Sequence, residues 1–220
     1  MTQSEPVLRL VEAVRVLLEE GGIAALRLPR LAQQAGLDLA TTHRLAPTPL
    51  AALRLALDHI DEQVLAGGDS DADEPARERL FDVMMRRYDA LVPWRGALRS
   101  LMRSPPFDPL LALGLGWNVE RSMATMLEVA GIGSGGLAGA VRVRGLCLIH
   151  ADVLRNFLDD DSEDLSATMK ALDTRLRQAA PLASLLGGLE RLPRTAAKSS
   201  VSPMHENRSE ASSISSDAIH

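Results

Sequence analysis

LPRLAQQAGLDLATTHRLAPTPLAAL, residues 28–53, decides the fold. Two short helical segments meet there at one glycine. Pro29 suits the first turn of a helix running to about Ala35, because proline has the helical φ and lacks only an N–H that the first turn does not use. Gly36 is the turn residue. Asp38 is placed to cap a second helix, Leu39 to Leu45, since its oxygens can accept a free first-turn N–H. Pro47 ends that segment, Thr48 caps the next helix and Pro49 takes its first position. Leu50, Leu53, Leu57, Ile60 and Val64 then recur on one helical face. The pattern predicts a helix-turn-helix followed by a longer linking helix.

Upstream, Val7, Leu10, Val11, Val14, Leu17 and Leu18 predict an amphipathic helix over 7–20. Gly21 and Gly22 stop it, and Ile23, Ala25 and Leu26 form a short apolar connection. Downstream, GGDSDADE (67–74) is an acidic break and the expected domain boundary. Leu80, Val83, Met84, Arg87, Tyr88 and Leu91 mark a helix ending at Pro93. A short helix follows from Trp94 to Arg103, closed by Pro105 and Pro106. Asp108 and Pro109 open another, running to about Ala130. GIGSGG (131–136) precedes a long helix over 137–158, whose stripe is Val143, Leu146, Cys147, His150, Leu154 and Phe157. Asp159 to Asp161 break it. A last helix is predicted over 162–186, with Leu165, Met169, Leu172 and Leu176 on one face. Its acidic first turn and later Lys170, Arg175 and Arg177 would complement the helix dipole. No strand-like alternation is present, so the expected fold is all-α. The expected units are a helix-turn-helix domain (1–48), a linking helix (49–66), a helical ligand and dimerisation domain (75–187) and a disordered Ser-rich tail (191–220).

The 220 residues are 46% hydrophobic, enough for a substantial core. The single cysteine, Cys147, excludes an internal disulfide and a multi-cysteine zinc site. No run is long enough for a membrane span, and MTQSEPVLRL lacks a signal pattern, so a cytoplasmic protein is expected. Net charge is −5, and residues 1–60 hold six arginines, six acids and no lysine. A neutral head is weak support for phosphate binding, which rests on Lys and Arg.

Leu31-Ala32-x-x-Ala35-Gly36-Leu37, the six-residue element ending at Arg44, and Pro47 before the next helix resemble the tetracycline-repressor (TetR) family of transcriptional regulators. That family's pattern is Ile-Ala-x-x-Ala-Gly-Val-Ser-x-Gly-Thr-aliphatic-Tyr-x-Tyr-Phe-x-(Ser/Asn)-Lys-Glu. Thr41 matches it. Asp38 replaces the capping Ser and Ala40 the Gly. His43 and Leu45 replace the aromatic pair, Ala46 replaces Phe, and Pro49-Leu50 stand for Lys-Glu. No Phe, Tyr or Trp precedes Phe81. The resemblance implies a homodimer through residues 137–186, a double-stranded DNA operator as partner and release by a small ligand. A second resemblance, through RLFDVMMRRYDALVPWRGALRSLM (79–102) and the segment around Asp159 to Met169, is to coenzyme Q biosynthesis lipid-binding proteins. These share the architecture without binding DNA, and they imply a lipid as partner.

The polar groups best placed for DNA are Arg27, Thr41, Thr42, His43 and Arg44. Residues at the start of a recognition helix read base edges, and flanking groups grip phosphate. Met84, Met85, Trp94, Met102, Trp117, Met123 and Met126 are candidate pocket liners, since Met adapts to varied apolar shapes. Tyr88, Cys147 and His150 join them as ligand-binding candidates. As a group they suit an apolar or amphipathic molecule. Cys147 and His150, at i and i+3, are too few for a structural metal site. GIGSGG follows a helix and no Lys-Ser/Thr follows it, so it reads as a hinge and not a phosphate loop. No cofactor is expected, and no nucleophile–base pair or paired catalytic carboxylate points to an enzyme.

Overall fold

The computed structural model describes residues 5–68, 73–103 and 109–190, with side chains described outside 109–111 and 182–190. In chain order the helices are α1 (Glu5–Gly21), α2 (Leu28–Ala35), α3 (Leu39–Leu45), α4 (Pro49–Ala66), α5 (Ala76–Leu91), α6 (Arg95–Arg103), α7 (Pro109–Val129), α8 (Gly136–Asp159) and α9 (Ser166–Glu190). Short 3-10 turns at Gly22–Ala25 and Val92–Trp94 join α1 to α2 and α5 to α6. No strand occurs among the described residues, and none of their helices is long and apolar enough to cross a membrane.

Leu10, Val14, Leu17 and Leu18 of α1 are buried, and α1 packs on α2, α4 and α6. The head's core is aliphatic throughout: Leu26, Leu31, Ala35, Ala46, Ala52 and Leu53 close it. That core continues without a break along Ile60 and Val64 of α4 to Val83, Met84 and Tyr88 of α5, then to Met123, Met126, Phe157 and Leu172. The linking helix α4 packs on both α5 and α7, while α8 and α9 pack on each other. Head and body therefore share one continuous apolar interior, and burial of that interior is the main stabilising term.

Several boundaries differ from those expected; α5 ends at Leu91, not Pro93, and α9 runs to Glu190, not 186. The last helix starts at Ser166, not at 162, because Asp160 organises a turn ahead of it. Its Oδ2 accepts from the N–H and the hydroxyl of Thr168, both at 2.7 Å, and its Oδ1 accepts from the Ser162 hydroxyl at 2.5 Å. Burial alone would raise the Asp160 carboxyl, but these bonds hold it down at about 2. Leu165 completes the turn with φ at 53°, so Glu163 and Asp164 precede the helix instead of forming its first turn. Trp94 belongs to the 3-10 turn, and α6 begins at Arg95. Pro105, Pro106, Asp108, part of the acidic break and the Ser-rich segment 191–220 lie outside the described residues.

Candidate nucleic-acid interface

Local chemistry sets the geometry between α2 and α3. Gly36 is left-handed at φ 62°, ψ 37°, a conformation that costs a residue with a Cβ. Its N–H donates to Gln33 O at 3.2 Å, and the Leu37 N–H donates to Ala32 O at 3.0 Å, which together close α2. Asp38 then starts α3: its Oδ1 accepts from the Thr41 N–H at 2.8 Å. Hydrogen bonds from the Thr41 backbone and side chain hold the Asp38 carboxyl below the usual range. Thr48 does the same for α4, accepting from the Ala51 N–H at 3.1 Å.

Of the five residues singled out for DNA, Arg27, His43 and Arg44 are exposed, and Thr41 is half-buried with its hydroxyl accepting from Arg44 Nη2 at 2.9 Å. Thr42 is a correction. It is 0% exposed, and its hydroxyl donates to Asp38 O at 2.9 Å. One turn on from Asp38, it points into the head's core with Leu45 and Ala46, so it cannot meet a base. The sequence reading missed Leu39, 54% exposed at the first position of α3, and Ala40 beside it. The Asp38 cap was the available signal, because it fixes which residues open the helix. Arg9 also approaches the turn, its Nη1 lying 3.5 Å from Gly36 O. Arg30 pairs with Glu20 at 3.2 Å, and Arg54 pairs with Asp58, which Arg121 also reaches. Arg9 in turn lies 3.8 Å from Glu5, so Arg27 and Arg44 are the head arginines with no acidic partner among the described residues.

In the body, Met84, Tyr88 and Met123 are fully buried and Trp94 nearly so. Tyr88 OH and His150 Nδ1 are hydrogen-bonded at 3.0 Å, their ring centroids lie 5.6 Å apart, and Phe157 lies 5.4 Å from Tyr88. Burial, with the positive charge of Arg87 adding to it, pushes the His150 imidazole down to about 3, so it is neutral at physiological pH. Burial raises the Tyr88 phenol. Cys147 is half-buried, its thiol raised to about 11 by burial and then by Glu120, which makes it a poor nucleophile and a poor metal ligand. Two expected liners are not in the interior: Trp117 is 72% exposed and Met102 51%. Trp117 lines an open groove of about 280 Å³ between α7 and α8, with Glu120, Arg121, Ala140, Val143 and Arg144. It lies on the outward side of α7, opposite buried Met123 and Met126.

One buried cluster was not anticipated. Arg87 Nη1 donates to Asp61 Oδ1 at 2.5 Å, and the Ser122 hydroxyl donates to the same oxygen at 2.6 Å. The cluster ties α4 to α5 and α7. Its signal in the sequence was an arginine on the apolar stripe of α5; nothing local pointed to Asp61.

No family model matches the chain, and no curated protein matches it. Solved structures do share its fold. A TetR transcriptional regulator from Nitrosomonas europaea is 20% identical at a TM-score of 0.61, covering 79% of this chain and 97% of its own. One from Rhodococcus sp. RHA1 is 20% identical at 0.55, covering 78% and 96%. A TetR-family regulator from Streptomyces coelicolor is 16% identical at 0.53, covering 87% and 89%. The fold is that of TetR transcriptional regulators: a helix-turn-helix head on a helical body.

Proposed function

We propose that this chain is a homodimeric, cytoplasmic transcriptional regulator of the TetR type, which grips a double-stranded operator through residues 24–50 and is released by a small apolar or amphipathic molecule held in its body. The carrying observation is the capped α3, which keeps His43 and Arg44 outward on a short helix set against α2 by a left-handed glycine. In this reading Leu39 and Ala40 meet thymine methyl groups, Arg44 meets a base edge or phosphate, and Arg9 and Arg27 grip phosphates. Thr42 drops out of the contact set and stays a core residue.

A two-fold dimer brings two heads to successive major grooves. The outward side of α8 supports the dimer, because Leu137, Val141 and Leu148 are exposed there while Val143, Leu146, Val153 and Phe157 are buried opposite. Leu113 and Trp117 of α7 extend the exposed apolar surface, and Met169 of α9 adds to it. The apolar face of α9 is largely used internally, through Leu165, Leu172 and Leu176. We therefore place the interface chiefly on α8 within 137–186, extended onto α7.

Two connections would carry a change in the body to the head. Asp61 joins α4 to α5 and α7, and Arg15 Nη1 donates to Pro93 O at 3.4 Å, linking α1 to the turn before α6. An effector shifts that equilibrium only by binding one arrangement more tightly than the other.

A mobility-shift experiment with the gene's own upstream DNA tests the reading. The expected result is a specific complex at low salt that Arg44→Ala weakens at least tenfold, with far-UV circular dichroism unchanged. Absence of any complex at low salt overturns it. The neutral head and the Trp117 groove would then favour a lipid-binding protein of this fold, recognised by a co-purifying lipid in the native mass spectrum.

A further inference from the structure

Arg95 opens α6 with its guanidinium carbon 4.5 Å from the centroid of the Phe157 ring. Its Nε and Nη2 are both buried, and neither has a hydrogen-bond partner among the described residues. Those two N–H groups form one edge of the planar guanidinium, the edge that accepts a carboxylate side-on with two parallel hydrogen bonds. The next arginine on the helix, Arg99, uses the same Nε and Nη2 edge to hold Leu158 O. The helix thus presents two like edges, one committed to the backbone of α8 and one with nothing to bind.

The surroundings define the rest of the ligand. Phe157 packs on Tyr88, and Tyr88 packs on His150, so an aromatic row leads inward from beneath Arg95. Beside it Arg87, 1% exposed, leaves its own Nε without a partner among the described residues. His150 is neutral and Tyr88 keeps its proton, and the Asp61 carboxylate beside Arg87 is already held by Arg87 and Ser122. A cation would face the Arg95 guanidinium, and Arg87 is already neutralised by Asp61. A purely apolar molecule would leave both sets of donors unmatched, which buried donors resist.

We propose that the effector of this protein is an amphipathic carboxylic acid, with its carboxylate on the Nε and Nη2 edge of Arg95 and its apolar body along Phe157 and Tyr88. The inference rests on the regulator reading and narrows it, replacing an unspecified apolar ligand by an acid. The acid enters by parting α6 from α8. Because α6 packs on α1 of the head, and Gly96 at its start sits directly against the Glu19 carboxylate, displacement of α6 reaches the head.

The test uses the full chain without DNA. Decanoate and 4-phenylbutyrate are each titrated against the matching primary amide by calorimetry and thermal shift. The expected result is that at least one acid binds ten times or more tightly than its amide, and that Arg95→Gln removes the preference. Arg95→Lys keeps the charge but loses the paired edge, and should lose fivefold or more; it serves if the glutamine variant does not fold. Equal binding of acid and amide, no binding of either acid, or binding unchanged in the variant that folds overturns the proposal. Release of operator DNA by the acid is scored separately. An acid that binds through Arg95 but leaves a DNA complex intact upholds the site and contradicts the effector role; failure of all DNA binding contradicts the regulator reading alone.

Discussion

The head and the body satisfy their polar groups over different distances along the chain. In the helix-turn-helix of the head the capping bonds are local: Asp38 to Thr41, Thr42 back to Asp38, Arg44 to Thr41, Thr48 to Ala51. In the body the bonds cross the fold: Arg87 to Asp61, Ser122 to Asp61, Tyr88 to His150, Arg99 to Leu158. Where a local bond is exposed, as for Asp38–Thr41 and Thr48–Ala51, its loss returns the groups to water. A lost long-range bond strands a charge or a donor in the interior, where the cost is larger. The two regions should therefore respond very differently to single polar substitutions.

The largest effect is expected at the Asp61 cluster. Arg87→Met leaves Asp61 buried without its charge partner and should cost about 3–5 kcal/mol in urea denaturation. Adding Asp61→Leu should recover most of that loss. A cost for Arg87→Met no greater than that of a surface cap would break the comparison.

Next comes Gly139, which sits in α8 against the backbone of Ser134, where a Cβ would collide. Gly139→Ala should cost about 2 kcal/mol, since backbone cannot swing aside as a side chain can. A neutral result would show that the 131–136 hinge yields to α8.

The pH dependence of stability sharpens the contrast. The His150 imidazole sits at about 3 when folded, below its ordinary value of about 6.5 in an unfolded chain. As pH falls through that window the unfolded chain takes up a proton that the folded protein refuses, so stability declines, by about 2 kcal/mol at a pH of about 5. His150→Gln keeps a hydrogen-bonding partner for Tyr88 and should flatten this part of the pH–stability curve. An unchanged slope would mean the imidazole titrates normally.

The smallest effect belongs to the head. Thr48→Ala removes one cap bond and should cost about 1 kcal/mol. A much larger loss would mean that the head depends on its caps as the body depends on its buried cluster.

The same contrast explains what could be read from the sequence. The head was legible almost residue by residue, because Pro29, Gly36, Asp38, Thr48 and Pro49 act on neighbours within four positions. The last helix was misplaced by the same local reading: Asp160 reaches forward to Thr168, too far for a capping rule, and so moves the start to Ser166. In the body Met84, Tyr88 and Met123, singled out as pocket liners, are buried while Trp117 is exposed, a difference the pattern could not tell, because helical spacing does not say which face a neighbour covers. Asp61 was invisible for a related reason. It sits among the polar residues of α4, and only the packing of α5 and α7 makes it a buried partner. Thr42 failed on the finest scale: adjacent threonines on a helix point about 100° apart, enough to bury Thr42 and leave Thr41 half-exposed.

The salt dependence of DNA binding tests the central claim most directly. The proposed contact set holds Arg9, Arg27 and Arg44, so a dimer has six such groups to set against phosphates. Fluorescence anisotropy on the upstream DNA, from about 50 to 200 mM salt, should give a slope of log K against log salt of about −5. Arg44→Ala should make that slope shallower by close to two contacts per dimer. No binding at the low end of that range, or binding indifferent to salt and to Arg44, would contradict a DNA-reading head.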